Sequence, residues 1–102
     1  TIRSAIGSGD PLVRLGALRA LSGLQQDLQV DWSAPLLKDP VRSVRTEAAR
    51  LISPMRALLH IRDESNLASA EKELEKAYLA TAERPESQIG LGNLYAERGD
   101  AG

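Results

Sequence analysis

The 102 residues include no cysteine and no phenylalanine, and aromatic side chains make up only 3% of the chain. Without cysteine there is no disulfide, no thiolate nucleophile and no Cys-based metal site. His60 is the single histidine. A multi-histidine metal site is therefore excluded, and any Ser-His-Asp arrangement would have to be built around that one residue. The patterns H-E-x-x-H and G-x-S-x-G are absent as well. No run of about 18 apolar residues occurs, so no segment is read as a membrane span. So few aromatic residues argue against a β-sandwich. The dominance of Ala and Leu favours helices packed closely through small side chains. The length bounds the chain to one domain of modest core.

The net charge of −1 conceals an asymmetry. Residues 1–62 carry nine Lys/Arg against five Asp/Glu, whereas residues 63–102 carry four against nine. The change of sign coincides with a change of sequence style, which predicts two structural units. The chain opens at Thr1 with no basic-then-apolar leader, which reads as a piece of a longer protein.

Asp10-Pro11 is a helix start, because Asp accepts free first-turn N–H groups and Pro lacks the N–H that would go unpaired. Val13, Ala17, Ala20, Leu21 and Leu24 then recur at helical spacing and are expected to face inward. Ile2, Ala5 and Ile6 form a shorter stripe before "GSGD", which lacks a following Lys-Ser/Thr and reads as a turn rather than a phosphate loop. Thirty-one residues further on, Val44-Arg45 repeats Val13-Arg14, Ala48 repeats Ala17, Ile52 repeats Leu21 and Leu37 repeats Ile6. The match keeps the helix phase, so it is read as an internal repeat. Trp32, Leu36 and Leu37 are expected to face in from "VDWSAPLL". Met55, Leu58, Leu59 and Ile61 are expected to cover the helix before them.

Asp10-Pro11 with Val13-Arg14, and Val44-Arg45 in the second copy, resemble short HEAT-like (bilin-lyase-type) repeats, whose hallmark is D-P-x-V-R followed by small and apolar residues. The resemblance covers residues 1–53. It implies an Asp–Arg ladder between neighbouring units, in which Asp10 and Arg14 form one pair and Arg45 the next rung. Asp39, displaced by two residues relative to Asp10, has no clear place in it.

Residues 54–66 read as a linker or short helix opened by Pro54. Leu67, Ala70, Leu74, Ala77 and Tyr78 then mark one helix face, with the Glu and Lys residues from Glu71 onward read as a solvated face. Arg84-Pro85 breaks the helix, and another runs from about Glu86 to Arg98. "LGNLYAERGD" resembles the first helix of a tetratricopeptide repeat, with Leu91, Gly92 and Tyr95 at the pattern positions. The resemblance covers residues 67–102 as a truncated helix pair. Gly in a helix interior costs about 1 kcal/mol against Ala, so Gly92 is expected to meet a neighbouring helix at close range.

These features predict an all-α fold, an α-solenoid-like, right-handed stack of antiparallel helical hairpins. The expected function is non-catalytic: a protein-binding or scaffold surface with no cofactor and no metal. Arg14, Arg19, Arg45 and Arg50 are the candidate partner-binding residues of the first half, and Leu91 and Tyr95 those of the second. Three other readings stand beside it. One is a nucleic-acid-binding or enzyme-accessory HEAT-like module using the arginines of the first half, against which stands the reading that some of them pair with Asp between repeats and others complement the acidic second half. Another is self-association through the cut C-terminal helix. HEAT-like units joined to tetratricopeptide repeats also resemble the C-terminal parts of bacterial multihaem cytochromes, which implies the periplasm as one compartment beside the cytoplasm, although no C-x-x-C-H motif is present.

Overall fold

In the computed structural model, which describes residues 2–99, Asp10 ends an extended turn and accepts the Leu12 N–H at 2.9 Å through its side chain. That capping bond, with Pro11 in the first turn, starts a helix where the sequence places one. The chain is all-α among the described residues. Its helices are α1 (Ile2–Ile6), α2 (Pro11–Ala20), α3 (Gln26–Ser33), α4 (Arg42–Ile52), α5 (Glu64–Ala80) and α6 (Pro85–Arg98). Short 3-10 segments at Leu21–Gly23, Ala34–Lys38, Ser53–Leu58 and Ile61–Asp63 join them. No described helix is long and apolar enough to cross a membrane.

α4 is the centre of the fold. It packs against α2 and α3 on one side and α5 on the other, and α6 closes on α5. Leu18, Leu21, Val30, Val44, Ala48, Ala49, Ile52 and Ala70 form the most deeply buried part of the core. At the 31-residue offset some positions agree and others do not, Val13 being exposed where Val44 is buried. α2 starts at Pro11 and α4 at Arg42, and Ala17 and Ala48 are both buried, as are Leu21 and Ile52.

The phase of α2 differs from the sequence expectation. Val13 is 41% exposed and Ala20 is exposed, while Arg14, Ala17, Leu18 and Leu21 face inward. "LVRLGALRAL" is apolar at so many positions that several helical stripes fit it. The one adopted requires a partner for the buried Arg14 head group, and periodicity does not see that partner.

Pro54 opens a 3-10 segment kinked at Met55 (φ −116°, ψ 23°) rather than an α-helix. Leu59 is buried and Met55 half-buried, but Leu58 and Ile61 point outward, the latter 83% exposed. A helix would have put all four on nearby faces; the 3-10 turn and the extended residues Leu59 and His60 separate them.

On α5, Leu67, Ala70 and Leu74 are buried as expected, Tyr78 is half-buried and Ala77 is exposed. α6 begins with Pro85 in its first turn and ends at Gly99, whose φ of 77° places it in the left-handed region that favours glycine. Asp100, the second residue of the turn expected there, lies outside the described residues.

Candidate partner-binding cleft

Two arginines in equivalent positions hold the helices in register. Arg14 donates from Nη1 to the Ser8 carbonyl at 2.8 Å, and from Nε and Nη2 to the two carboxylate oxygens of Asp39 at 2.6 and 3.0 Å. Arg45 donates from Nη1 to the Asp39 carbonyl at 2.8 Å, and from Nε and Nη2 to both oxygens of Glu73, each at 2.8 Å. In both cases the carbonyl lies six residues before the arginine and the carboxylate 25 or 28 residues after it. Such two-pronged pairs fix orientation as well as distance.

The geometry also assigns the displaced aspartate. Asp39 stands thirty-one residues after Ser8, not after Asp10. Each of Ser8 and Asp39 uses its side chain to accept the N–H two residues on, at 3.1 and 2.9 Å respectively. Asp10 is a helix cap and makes no pair with Arg14, which corrects the expected ladder. Asp39 is the residue that binds Arg14, and its side chain is only 3% exposed.

The acidic helix α5 is likewise not a solvated face. Glu71 is buried, accepting from the Ser53 hydroxyl and from Arg56. Glu73 binds Arg45, with Arg42 at 3.3 Å, and Glu75 accepts the Tyr95 hydroxyl at 2.6 Å. The bond from Arg45 holds the Glu73 carboxyl below its ordinary pKa, against the opposing effect of burial.

These contacts sort the candidate residues. Arg14 is buried, and Arg45 is half-buried in its ion pair. Arg50 is exposed and pairs with Glu47 one turn earlier. Arg19 is exposed in the last turn of α2 and makes no salt bridge with another described residue. Leu91 and Tyr95 are half-buried on α6, with Tyr95 turned to α5. The four arginines therefore form no common open face. Most arginine charge in the first half is matched by carboxylate, which leaves little unpaired positive charge to neutralise a phosphate backbone.

The structure brings Arg50 instead to a cleft of about 310 Å³ between the end of α4 and α6. Ser53 and Pro54 continue the α4 wall, and α5 supplies Leu74 and Tyr78 beneath it. The α6 wall carries Glu86, Ile89, Asn93 and Glu97 at spacings of three and four residues, one stripe of the helix. Tyr78 lies against Gly90, where an added Cβ would stand 2.5 Å from the Tyr78 ring. Gly92, by contrast, is exposed with nothing within 4 Å of such an atom. The close approach expected at Gly92 belongs to Gly90, two residues earlier and on the other side of the helix. Burial raises the pKa of Tyr78, and it also raises that of Glu97, where nearby Arg56 opposes the shift and Glu71 adds to it.

Of the candidate binding residues, only Arg50 lines this cleft. Glu86, Ile89, Asn93 and Glu97 do form a helical stripe, but one that mixes charge, amide and a single apolar residue and so carries no hydrophobic signal. Among the described residues no group of three or more His, Asp or Glu side chains is placed to hold a metal ion.

Glu97 gives the site a pH signature. A carboxyl whose folded-state pKa is raised binds its proton more tightly folded than unfolded. Its contribution is then most favourable at low pH and is lost as pH rises through the carboxylate range. Glu97→Gln is expected to narrow the stability gap with acid conditions, gaining on the native chain as pH rises from 4 to 7 in urea unfolding. A gap unaffected by pH would show that Glu97 is solvated.

In comparisons with protein-family models, curated proteins and solved structures, nothing matches this chain.

Proposed function

We propose that the chain is a non-catalytic protein-binding module, an α-solenoid-like stack of HEAT-like units that offers the α4–α6 cleft to a polypeptide partner. The observation that carries this reading is the division of labour among its charged side chains. Arg14, Arg45 and Arg56 are engaged with Asp39, Glu73 and Glu71 between helices, so the strongest polar groups of the first half act in stacking. The α4–α6 cleft is open, lined by apolar Ile89 and Pro54, amide Asn93, two carboxylates and Arg50, whose charge is engaged by Glu47. A peptide-binding surface needs such a mixture of apolar anchors and adaptable polar contacts.

The equivalence of Ser8–Arg14 with Asp39–Arg45 supports the HEAT-like part of the reading, since one local bond pattern recurs at one offset. The tetratricopeptide-like part has weaker support, because Gly92 does not make the contact that pattern needs.

Selection of displayed random peptides against the full chain tests the reading. Enriched peptides are expected, and Ile89→Glu should weaken their binding by about tenfold or more while leaving the circular dichroism unchanged. Failure to enrich any peptide, or enrichment indifferent to Ile89, counts against it.

A further inference from the structure

The two walls of the cleft differ in what their charges are doing. On the α4 side, Arg50 is engaged with Glu47. On the α6 side, Glu86 and Glu97 make no hydrogen bond or salt bridge with any other described residue. They stand eleven residues apart on the same stripe, a separation of about 16 Å along the helix axis. Between them the wall presents Ile89, 65% exposed, and Asn93. Pro54 faces the cleft from the other wall, and α5 packs against both α4 and α6. The cleft thus lies between α6 and the end of α4 with the 3-10 turn that follows it. Ile89, Pro54 and Asn93 stand between two carboxylates that make no ion pair with a described residue, Glu97 having Arg56 nearby.

We propose that this cleft docks an amphipathic helix of a protein partner, one that carries two cationic side chains about three turns apart with apolar residues on the same face between them. The inference rests on the protein-binding reading above and names the chemistry of the partner. A guest helix has the same rise per residue as α6, so cations eleven residues apart meet Glu86 and Glu97 together. Apolar residues one and two turns inside them then reach Ile89 and Pro54, in the helix-in-groove mode of recognition. Charge decides the class of partner. An acidic helix would bring like charges to both ends, and a nucleic-acid backbone would meet carboxylates where it needs cations. Glu97 is half-buried with Arg56 near but not bonded to it, and an incoming ammonium or guanidinium offsets the remaining cost of burying the carboxylate.

The test is an NMR titration of the full chain with two synthetic, terminally capped helical peptides. One carries lysines eleven residues apart with two leucines between them on the same face; the other has glutamate in place of each lysine. The lysine peptide is expected to shift the amide resonances of Ile89, Gly90 and Asn93 saturably, and the glutamate peptide to leave them unmoved. Glu86→Gln/Glu97→Gln should weaken the lysine peptide by about tenfold, and Glu86→Lys/Glu97→Lys should reverse the preference between the two. Equal shifts from both peptides at the cleft would overturn the charge-matched partner while leaving a protein-binding cleft in place. No shift at the cleft from either peptide would overturn the docked helix, and the display selection decides the broader reading independently.

Discussion

Replacing Asp39 with alanine is expected to destabilise the chain by about 3–5 kcal/mol, against about 1 kcal/mol for Asp10→Ala. Both aspartates precede helices and both accept a backbone N–H two residues on. Only Asp39 also receives Arg14, through bonds of 2.6 and 3.0 Å in a pair whose side chains are 10% and 3% exposed. Removing the carboxylate leaves a buried guanidinium with the Ser8 carbonyl as its one remaining acceptor among the described residues. The cost is mainly that of an uncompensated buried charge, not the net worth of the pair. A small domain has only about 5–15 kcal/mol in hand, so Asp39→Ala should shift the urea midpoint far more than Asp10→Ala. Equal midpoints for the two variants would show that capping is all that Asp39 does.

The second large effect separates two glycines of one helix. Gly90→Ala places a methyl group 2.5, 2.7 and 3.0 Å from three atoms of the Tyr78 ring, so the ring must move. Overpacking of this kind costs about 1–3 kcal/mol, partly offset by about 1 kcal/mol of helix propensity gained from alanine. Gly92→Ala meets nothing within 4 Å and should therefore keep the whole gain of about 1 kcal/mol. One added methyl group thus destabilises at one site and stabilises two residues away. In a Tyr78→Ser background the penalty at Gly90 should vanish and both alanines should stabilise. If Gly90→Ala stabilises the native chain as Gly92→Ala does, Tyr78 does not lie where the structure puts it.

Those glycines also show what the sequence could and could not convey. Their presence near the middle of a helix announces a close approach somewhere, because a helix-interior glycine needs a reason. Which of the two makes it depends on how α6 is rotated against α5, and residues two apart on a helix point to opposite sides. Local periodicity does not set that rotation, since the face of α6 is only weakly apolar. Helix starts were legible for the opposite reason: Asp10-Pro11 and Pro85 act through the backbone of their own first turn.

The arginine rungs fall between these cases. Val13-Arg14 and Val44-Arg45 fix an offset of thirty-one residues, and that offset pairs Ser8 with Asp39 by simple counting. Matching the Asp-Pro letters instead draws attention to Asp10 and makes Asp39 look misplaced. The three-dimensional partner of Arg14 is 25 residues away, a separation at which spacing rules give no guidance. For the same reason the acidic stretch of α5 looked solvated: Glu71 and Glu73 meet Arg56 and Arg45 from elements distant in sequence. The cleft is the least legible feature, because its walls come from α4 and α6 and its lining has no composition of its own.

The proposed use of the α4–α6 cleft requires that the arginines of the first half be engaged in packing rather than free for a partner. A double-mutant cycle on Arg14 and Asp39, read by urea unfolding, tests this most directly. The single variants Arg14→Ala and Asp39→Ala and their combination should give a coupling energy above about 1 kcal/mol, whereas Arg14→Ala combined with Asp10→Ala should be additive within about 0.5 kcal/mol. Additivity between Arg14 and Asp39, or strong coupling of Arg14 to Asp10, would contradict it.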